Sequence, residues 1–209
     1  MTELAGDSRQ AQKERTRQAI MDAALDLGQQ HGFAQVSLRQ VARHAGVVPT
    51  AFYRHFESMD ELGLALVEQS FSTLRHMVRQ AQRDPKVFEN IIDAAAEVLV
   101  ESVKGSKAHF AFVSRERVSG SPVVRRAIRH ELDLFVSELA VVLARLPNIE
   151  TWSTEDVHMV SRLFVRNMVT NAEEVVEMSN NRPDLEEQIK DGARRQMRLI
   201  VLGFEKWQS

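Results

Sequence analysis

The chain contains no cysteine, which excludes disulfides, thiolate metal sites and a cysteine nucleophile and suits a reducing compartment. Proline and glycine are sparse, five and nine in 209 residues, so few positions oblige a helix to stop. No apolar run approaches the ~20 residues that cross a bilayer. Met1 to Gln10 is polar and lacks the apolar stretch of a secretory signal, so a cytoplasmic protein is expected. Enzyme signatures are also missing: there is no Gly-x-Ser-x-Gly elbow, no Gly-Lys-Ser/Thr phosphate loop, no Gly-x-Gly-x-x-Gly and no His-Glu-x-x-His. His130-Glu131 lacks the second histidine of a zinc helix, and His109, His130 and His158 are widely spaced. No catalytic residue, cofactor or metal is expected.

What is present is an ordinary globular composition, 44% apolar and 27% charged, with a net charge of −2 that is unevenly divided. Between Arg9 and Arg54 stand seven cations (Arg9, Lys13, Arg15, Arg17, Arg39, Arg43, Arg54) against three acids (Glu14, Asp22, Asp26). The remainder is correspondingly acidic. Phosphate binding needs a local basic face rather than a basic protein, and an acidic remainder limits indiscriminate adhesion to nucleic acid. A solvated charged face is the bland alternative.

Apolar residues recur at three- and four-residue steps, so the fold class is all-α. Ile20, Ala23, Ala24 and Leu27 form one stripe and Leu38, Val41, Ala42 and Ala45 another, with Gly32-Phe33 between them. Ser37 with Gln40 is a capping box, as is Ser58 with Glu61, so helices start at both serines. Pro49 suits the first position of a short helix to about Phe56. The pattern predicts further helices over 58–83, 87–103, 107–118, 122–146, 153–178 and 183–207. Three short helices thus precede about six longer ones. The expected domains are 1–58, with 1–9 a flexible arm, and 59–209.

Ala42 and Gly46 carry the chemistry of the first domain. Two short helices cross steeply only where the turn accepts a left-handed residue and the crossing point is small. This is the pattern of a helix-turn-helix over Ser37–Phe56, whose second helix presents Thr50, Ala51, Tyr53, Arg54 and His55. Thr50 and Ala51 are small enough to approach base edges, and Arg54 suits a guanine or a phosphate. Tyr53 and His55 suit phosphates, or simply cover the surface.

Arg17 to Leu27, Gly32-Phe33, Val36 to Val47 and Phe52-Tyr53-Arg54-His55-Phe56 resemble the TetR family of one-component repressors. The resemblance implies a TetR-like fold, in which a three-helix DNA-binding head joins a larger helical regulatory and dimerisation domain. It also implies a homodimer on a near-palindromic double-stranded operator, and a small-molecule effector. DNA contacts are implied at Ser37, Thr50, Tyr53 and His55, with Arg17 and Arg39 adding to them; Pro49, Ala51 and Arg54 complete the candidate face. Met59 departs from the pattern, because many members carry a phosphate-binding lysine there. A substitute from Arg9 to Arg15, or one fewer contact, is expected. Stripes at Leu185, Ile189, Ala193, Met197, Ile200, Phe204 and Trp207, and at Val157, Val160, Phe164 and Met168, suit a four-helix dimer seam or the chain's own core.

Pro49 to Phe56, Met59 to Leu64 and Ser114 to Arg117, on through Arg126, Glu131, Phe135 and Glu138 to Ala140, resemble the fatty-acid repressor branch, FabR- and DesT-like. That implies an acyl-CoA effector. Phe110, Phe112, Phe135, Leu139, Phe164 and Met168 are then candidates for an apolar cavity, and Arg115 and Arg117 for the coenzyme phosphates. Two alternatives stay open: the aromatics are ordinary core, or the protein regulates efflux or catabolic genes and senses a cationic or aromatic molecule.

Overall fold

In a computed structural model, the backbone is described at residues 2–81, 91–146, 149–179, 182–204 and 206–207, and the side chains at 10–76, 92–146, 149–179, 182–204 and 206–207. Among the described residues there are nine α-helices, one 3-10 turn and no strand. Helix α1 spans Thr2–His31 and is followed by the 3-10 turn Phe33–Gln35; α2 is Leu38–His44, α3 Pro49–Phe52 and α4 Met59–Ala81. Then come α5, Ile91–Gly105; α6, Lys107–Ser119; α7, Pro122–Leu143; α8, Thr154–Glu177; and α9, Pro183–Leu202. The expected helix ends at 83 and 87 lie outside the described residues.

Residues 2–9, expected to be a flexible arm, carry helical backbone continuous with α1. Good helix formers dominate the next turns of α1 (Ala11, Gln12, Lys13, Glu14, Arg15), and no proline interrupts them. The third helix, expected to reach Phe56, ends at Phe52. Beyond it the ladder tightens to three-residue steps, with Arg54 N donating to Ala51 O at 3.2 Å and His55 N to Phe52 O at 2.8 Å.

The chain forms two compact units, Met1–Ser70 with Ala111–Ile128, and Phe71–Phe110 with Arg129–Ser209. The unit holding the helix-turn-helix therefore extends beyond residue 58 and takes in most of α6. Its core is built on Ile20, Ala24, Val41, Ala42, Phe52, Leu62, Leu66, Val124 and Ile128, all fully buried. At Gly63 an added Cβ would stand 2.6 Å from Val124 Cγ2 and 3.0 Å from the Phe33 ring, so α4 passes α7 and Phe33 at glycine-only distance.

In the second unit Leu99, Val100 and Val103 of α5 pack on Ala172 and Val175 of α8. Ala140 and Leu143 of α7 pack with Ile149, Val157 and Val160, and Ala96 packs with Ala193 and Met197 of α9. These contacts answer the question left by the stripes on α8 and α9. Val157, Val160, Ala193 and Met197 are buried in the chain's own core, and Met168, Ile189, Phe164, Ile200 and Phe204 lie against it. A stripe of period 3.6 faces one neighbour, and here that neighbour is the core. The apolar residues left exposed are others: Met159 and Leu163 on α8, 39% and 46%, and Leu199 and Leu202 on α9, 73% and 72%.

Candidate nucleic-acid interface

The helix-turn-helix is assembled from local devices. Ser37 Oγ accepts the Gln40 N–H and Gln40 Oε1 accepts the Ser37 N–H at 2.9 Å, so the capping box fixes where α2 begins. At the far end Ala45 N donates to Val41 O at 2.9 Å and Gly46 N to Arg43 O at 3.2 Å; Gly46 then turns the chain at φ +69°. A side chain at that φ would be strained, which is the reason for glycine. Val47 N returns to Ala42 O at 2.9 Å, and the buried Ala42 lets the turn lie close. Pro49 opens α3, whose N-cap, Val48, makes no side-chain cap bond and is 62% exposed.

Aromatic packing fixes the outer face. Phe52 is fully buried, 5.8 Å from the Phe56 ring and edge-on to Tyr53 at 5.9 Å. With Phe52 turned inward, Pro49, Thr50, Tyr53 and Arg54 are exposed and Ala51 and His55 half-buried. Ser37 and Arg39 are exposed on α2. These sequence-predicted contact residues therefore share the helix-turn-helix and present polar or small groups to solvent. Arg17 is half-buried: its guanidinium lies 4.9 Å over the Phe56 ring, with Nη1 donating to Met21 Sδ at 3.1 Å. His44 Nε2 meets Asp26 Oδ2 at 2.8 Å, tying α2 to α1, a contact for which the sequence carried no local signal.

Positive charge collects around His55. Burial and the nearby charges of Lys13, Arg17 and Arg54 hold the His55 imidazole below its ordinary pKa, with Glu14 opposing. His55 Nδ1 is buried without a partner among the described residues. The lysine-to-methionine departure is half-buried: Met59 opens α4 beneath the Ser58 cap, whose Oγ accepts Glu61 N–H at 3.1 Å. The Glu61 carboxylate reaches back to the Glu57 N–H, one residue earlier than a capping box requires. Lys13 and Arg15 are exposed on α1 as the available substitutes; the Arg9 side chain lies outside the described residues.

The eight candidate effector residues are not gathered into one site. Phe110 and Met168 share the Leu99 cluster; Leu139 and Phe164 share the Ala140 cluster; the Phe135 ring lies tilted against Phe71 at 5.8 Å, beneath the Arg75 guanidinium. Phe112 instead packs edge-on to Phe33 at 5.6 Å in the first unit. Arg115 Nη1 donates to Gly28 O at 3.0 Å and Gln29 O at 3.2 Å, and Arg117 is half-buried on the same helix. A cleft of about 340 Å³, lined by Glu174, Glu177, Met178, Leu185, Gln188 and Ile189, contains none of the eight. Sequence reasoning passed over Glu116, which lies between the two arginines and is buried; a carboxylate spaced among buried apolar positions was the available signal.

Known proteins resemble this chain in its N-terminal sequence and in its fold. The model of the bacterial regulatory proteins, tetR family, matches residues 20–66. An uncharacterized HTH-type transcriptional regulator of Haemophilus influenzae is 41% identical over 133 residues; the match spans 63% of this chain and 65%, less than two thirds, of that relative. A TetR-family transcriptional regulator structure from Syntrophomonas wolfei superimposes with a TM-score of 0.70 at 16% identity, covering 91% of this chain and 96% of that one. AibR, in complex with isovaleryl coenzyme A and operator DNA, gives 0.66 at 15% identity, covering 86% and 96%. The multidrug binding protein EbrR, complexed with imidazole, gives 0.58 at 21%, covering 86% and 93%. Sequence and architecture agree: residues 20–66 are similar to the tetR family model, and the all-helical fold is similar to those of solved TetR-family structures.

Proposed function

We propose that the protein is a ligand-responsive transcriptional regulator of TetR type, acting as a repressor, that binds a near-palindromic operator in double-stranded DNA as a homodimer. The observation that carries this reading is the exposed Thr50-Tyr53-Arg54 face of the second motif helix, beside the capped start of α2 and backed by fully buried Phe52. Thr50 and Ala51 read base edges, Arg54 a guanine or phosphate, and Ser37, Arg39, Tyr53 and His55 hold the backbone. Exposed Met159, Leu163, Leu199 and Leu202 favour self-association through α8 and α9, where a second copy would cover them. Footprinting on the DNA upstream of its own coding sequence tests the reading, and sedimentation of the complex tests the dimer.

For the effector, the proposal is a long-chain fatty acyl-CoA, with fatty-acid or lipid genes as the target. Support comes from the sequence resemblance, from the likeness to AibR, and from the packing of Phe110 and Met168 on one apolar cluster and of Leu139 and Phe164 on another inside the second unit. The Arg115 guanidinium donates to the carbonyls of Gly28 and Gln29; Arg115 and Arg117 are the candidates for the coenzyme phosphates. Calorimetry or native mass spectrometry with saturated and unsaturated acyl-CoAs is expected to detect one bound ligand per chain; no binding of any of them overturns the assignment. The cleft bordered by Glu174 and Glu177, and the likeness to EbrR, favour a second reading, a regulator of efflux or catabolic genes sensing a cationic ligand. Binding of cationic aromatics in place of acyl-CoAs would select it.

A further inference from the structure

One exposed side chain of the helix-turn-helix is explained neither by phosphate binding nor by the fold. Val48 is the N-cap of α3, extended at φ −76° and ψ 150°, and its side chain makes no cap bond. Serine, threonine, aspartate or asparagine at that position would accept an amide N–H of the first turn and steady the helix. The helices on either side have such a bond: Ser37 Oγ accepts the Gln40 N–H, and Ser58 Oγ the Glu61 N–H. Val48 forgoes it and stands 62% exposed.

A single exposed valine is ordinary on a protein surface, but the surroundings of this one are not neutral. Gly46, Pro49 and Thr50 are exposed beside it, so the turn between α2 and α3 presents an apolar edge to solvent. No atom lies within 4 Å of the point where a side chain on Gly46 would begin, which leaves that flank of the turn clear. Arg39, Arg43 and Arg54 are exposed before and after the turn and meet no carboxylate among the described residues. An apolar edge set among these cations complements a polyanion that carries an apolar group between its phosphates. In the major groove of DNA that group is the C5-methyl of thymine, and the start of a recognition helix is the part that reaches base edges.

We propose that Val48 is a specificity-determining residue that packs on the C5-methyl of one thymine in each half-site of the operator. This role rests on the operator-binding reading above and adds to it a base and the chemical group by which that base is chosen. Thr50 carries a hydroxyl and Ala51 is half-buried, so the branched apolar side chain at the head of α3 is the one shaped for a methyl.

The test exchanges thymine for uracil, which removes the methyl and leaves every hydrogen-bonding group in place. Duplexes of the footprinted operator carry the exchange at one position at a time, in both half-sites, and are titrated at fixed salt with wild type, Val48→Ser and Thr50→Ala. Wild type should bind one exchanged duplex about fifteenfold more weakly, from about fourfold for each of two buried methyls. Val48→Ser should bind that duplex and the unmodified operator alike, whereas Thr50→Ala should keep the difference. Val48→Ser also supplies the missing cap, so its melting temperature should rise by about 2–4 °C. Loss of methyl recognition in a more stable protein separates a role in recognition from a role in folding. A melting temperature below that of wild type would assign Val48 to the fold and overturn the inference. So would the absence of any position at which uracil weakens wild type, or a difference that Val48→Ser keeps or Thr50→Ala abolishes; in each case operator binding itself stands. Wild type that binds no duplex overturns the operator reading, and the inference with it.

Discussion

The two units differ in how many of their cations are paired. In the second unit Lys190 lies 2.8 Å from Glu97 and 3.1 Å from Glu186, Arg194 contacts Glu97, Glu187 and Asp191, Arg198 reaches Asp93, and Arg75 bridges Glu131 and Glu138. Hydrogen bonds that Lys190 donates to Glu97 and Arg194 to Glu187 hold both cations above their ordinary pKa values, and α5 is laced to α9 by charge as well as by apolar contact. In the first unit Lys13, Arg39, Arg43 and Arg54 meet no carboxylate among the described residues. A chain of net charge −2 thus leaves positive charge uncompensated on α1 and the helix-turn-helix, where a phosphate backbone can neutralise it. Net charge alone would have pointed away from DNA; the location of unpaired charge points toward it.

Four perturbations sharpen or break that contrast. Phe52→Ala empties the fully buried centre of the motif and should cost about 3–5 kcal/mol. DNA binding should vanish, while the near-ultraviolet signal of Trp152 and Trp207, whose rings are 6.3 Å apart in the second unit, stays. Joint loss of both signals would show that the units do not fold separately. Next in size, Thr50→Val and Tyr53→Phe should each weaken operator binding by about 1–3 kcal/mol, but differently. Thr50→Val should change which operator is preferred, whereas Tyr53→Phe should weaken all sequences alike; selection from randomised duplexes separates the two.

Met59→Lys restores a phosphate ligand at the start of α4. It should tighten binding and steepen the log–log salt dependence by about 0.9 for each added phosphate contact. An unchanged slope would mean that Lys13 or Arg15 already occupies that phosphate. The smallest effect is on stability. Because burial raises the Glu116 carboxyl above its ordinary value of 4.5, its ionisation is disfavoured in the fold. The associated stability is complete below that value and is lost as pH rises through the raised one. The melting temperature of Glu116→Gln relative to wild type should therefore increase from pH 4 to pH 7, and a flat difference would show that the carboxylate is compensated.

The first unit was legible because its rules are local. Ser37 with Gln40, Gly46, and Pro49 each act within a few residues, and the structure puts a capping box, a left-handed turn and a helix start at those positions. The second unit was legible as helices but not as a site. A residue such as Phe164 shows the same spacing whether it lines a cavity, a dimer seam or a core, and it packs against two core clusters. Arg115 shows the same limit for charge. Its partners are carbonyls 86 and 87 positions away, which no local pattern encodes.

The account stands most directly on a footprint of wild type and of a Tyr53→Phe, Arg54→Ala double variant on the protein's own upstream DNA. Wild type should protect a near-palindrome whose halves lie about one helical turn apart, and the variant should lose that protection while remaining a folded dimer. Equal protection by the two proteins, or none by wild type, would contradict the assignment of Ser37–Phe56 as the DNA grip.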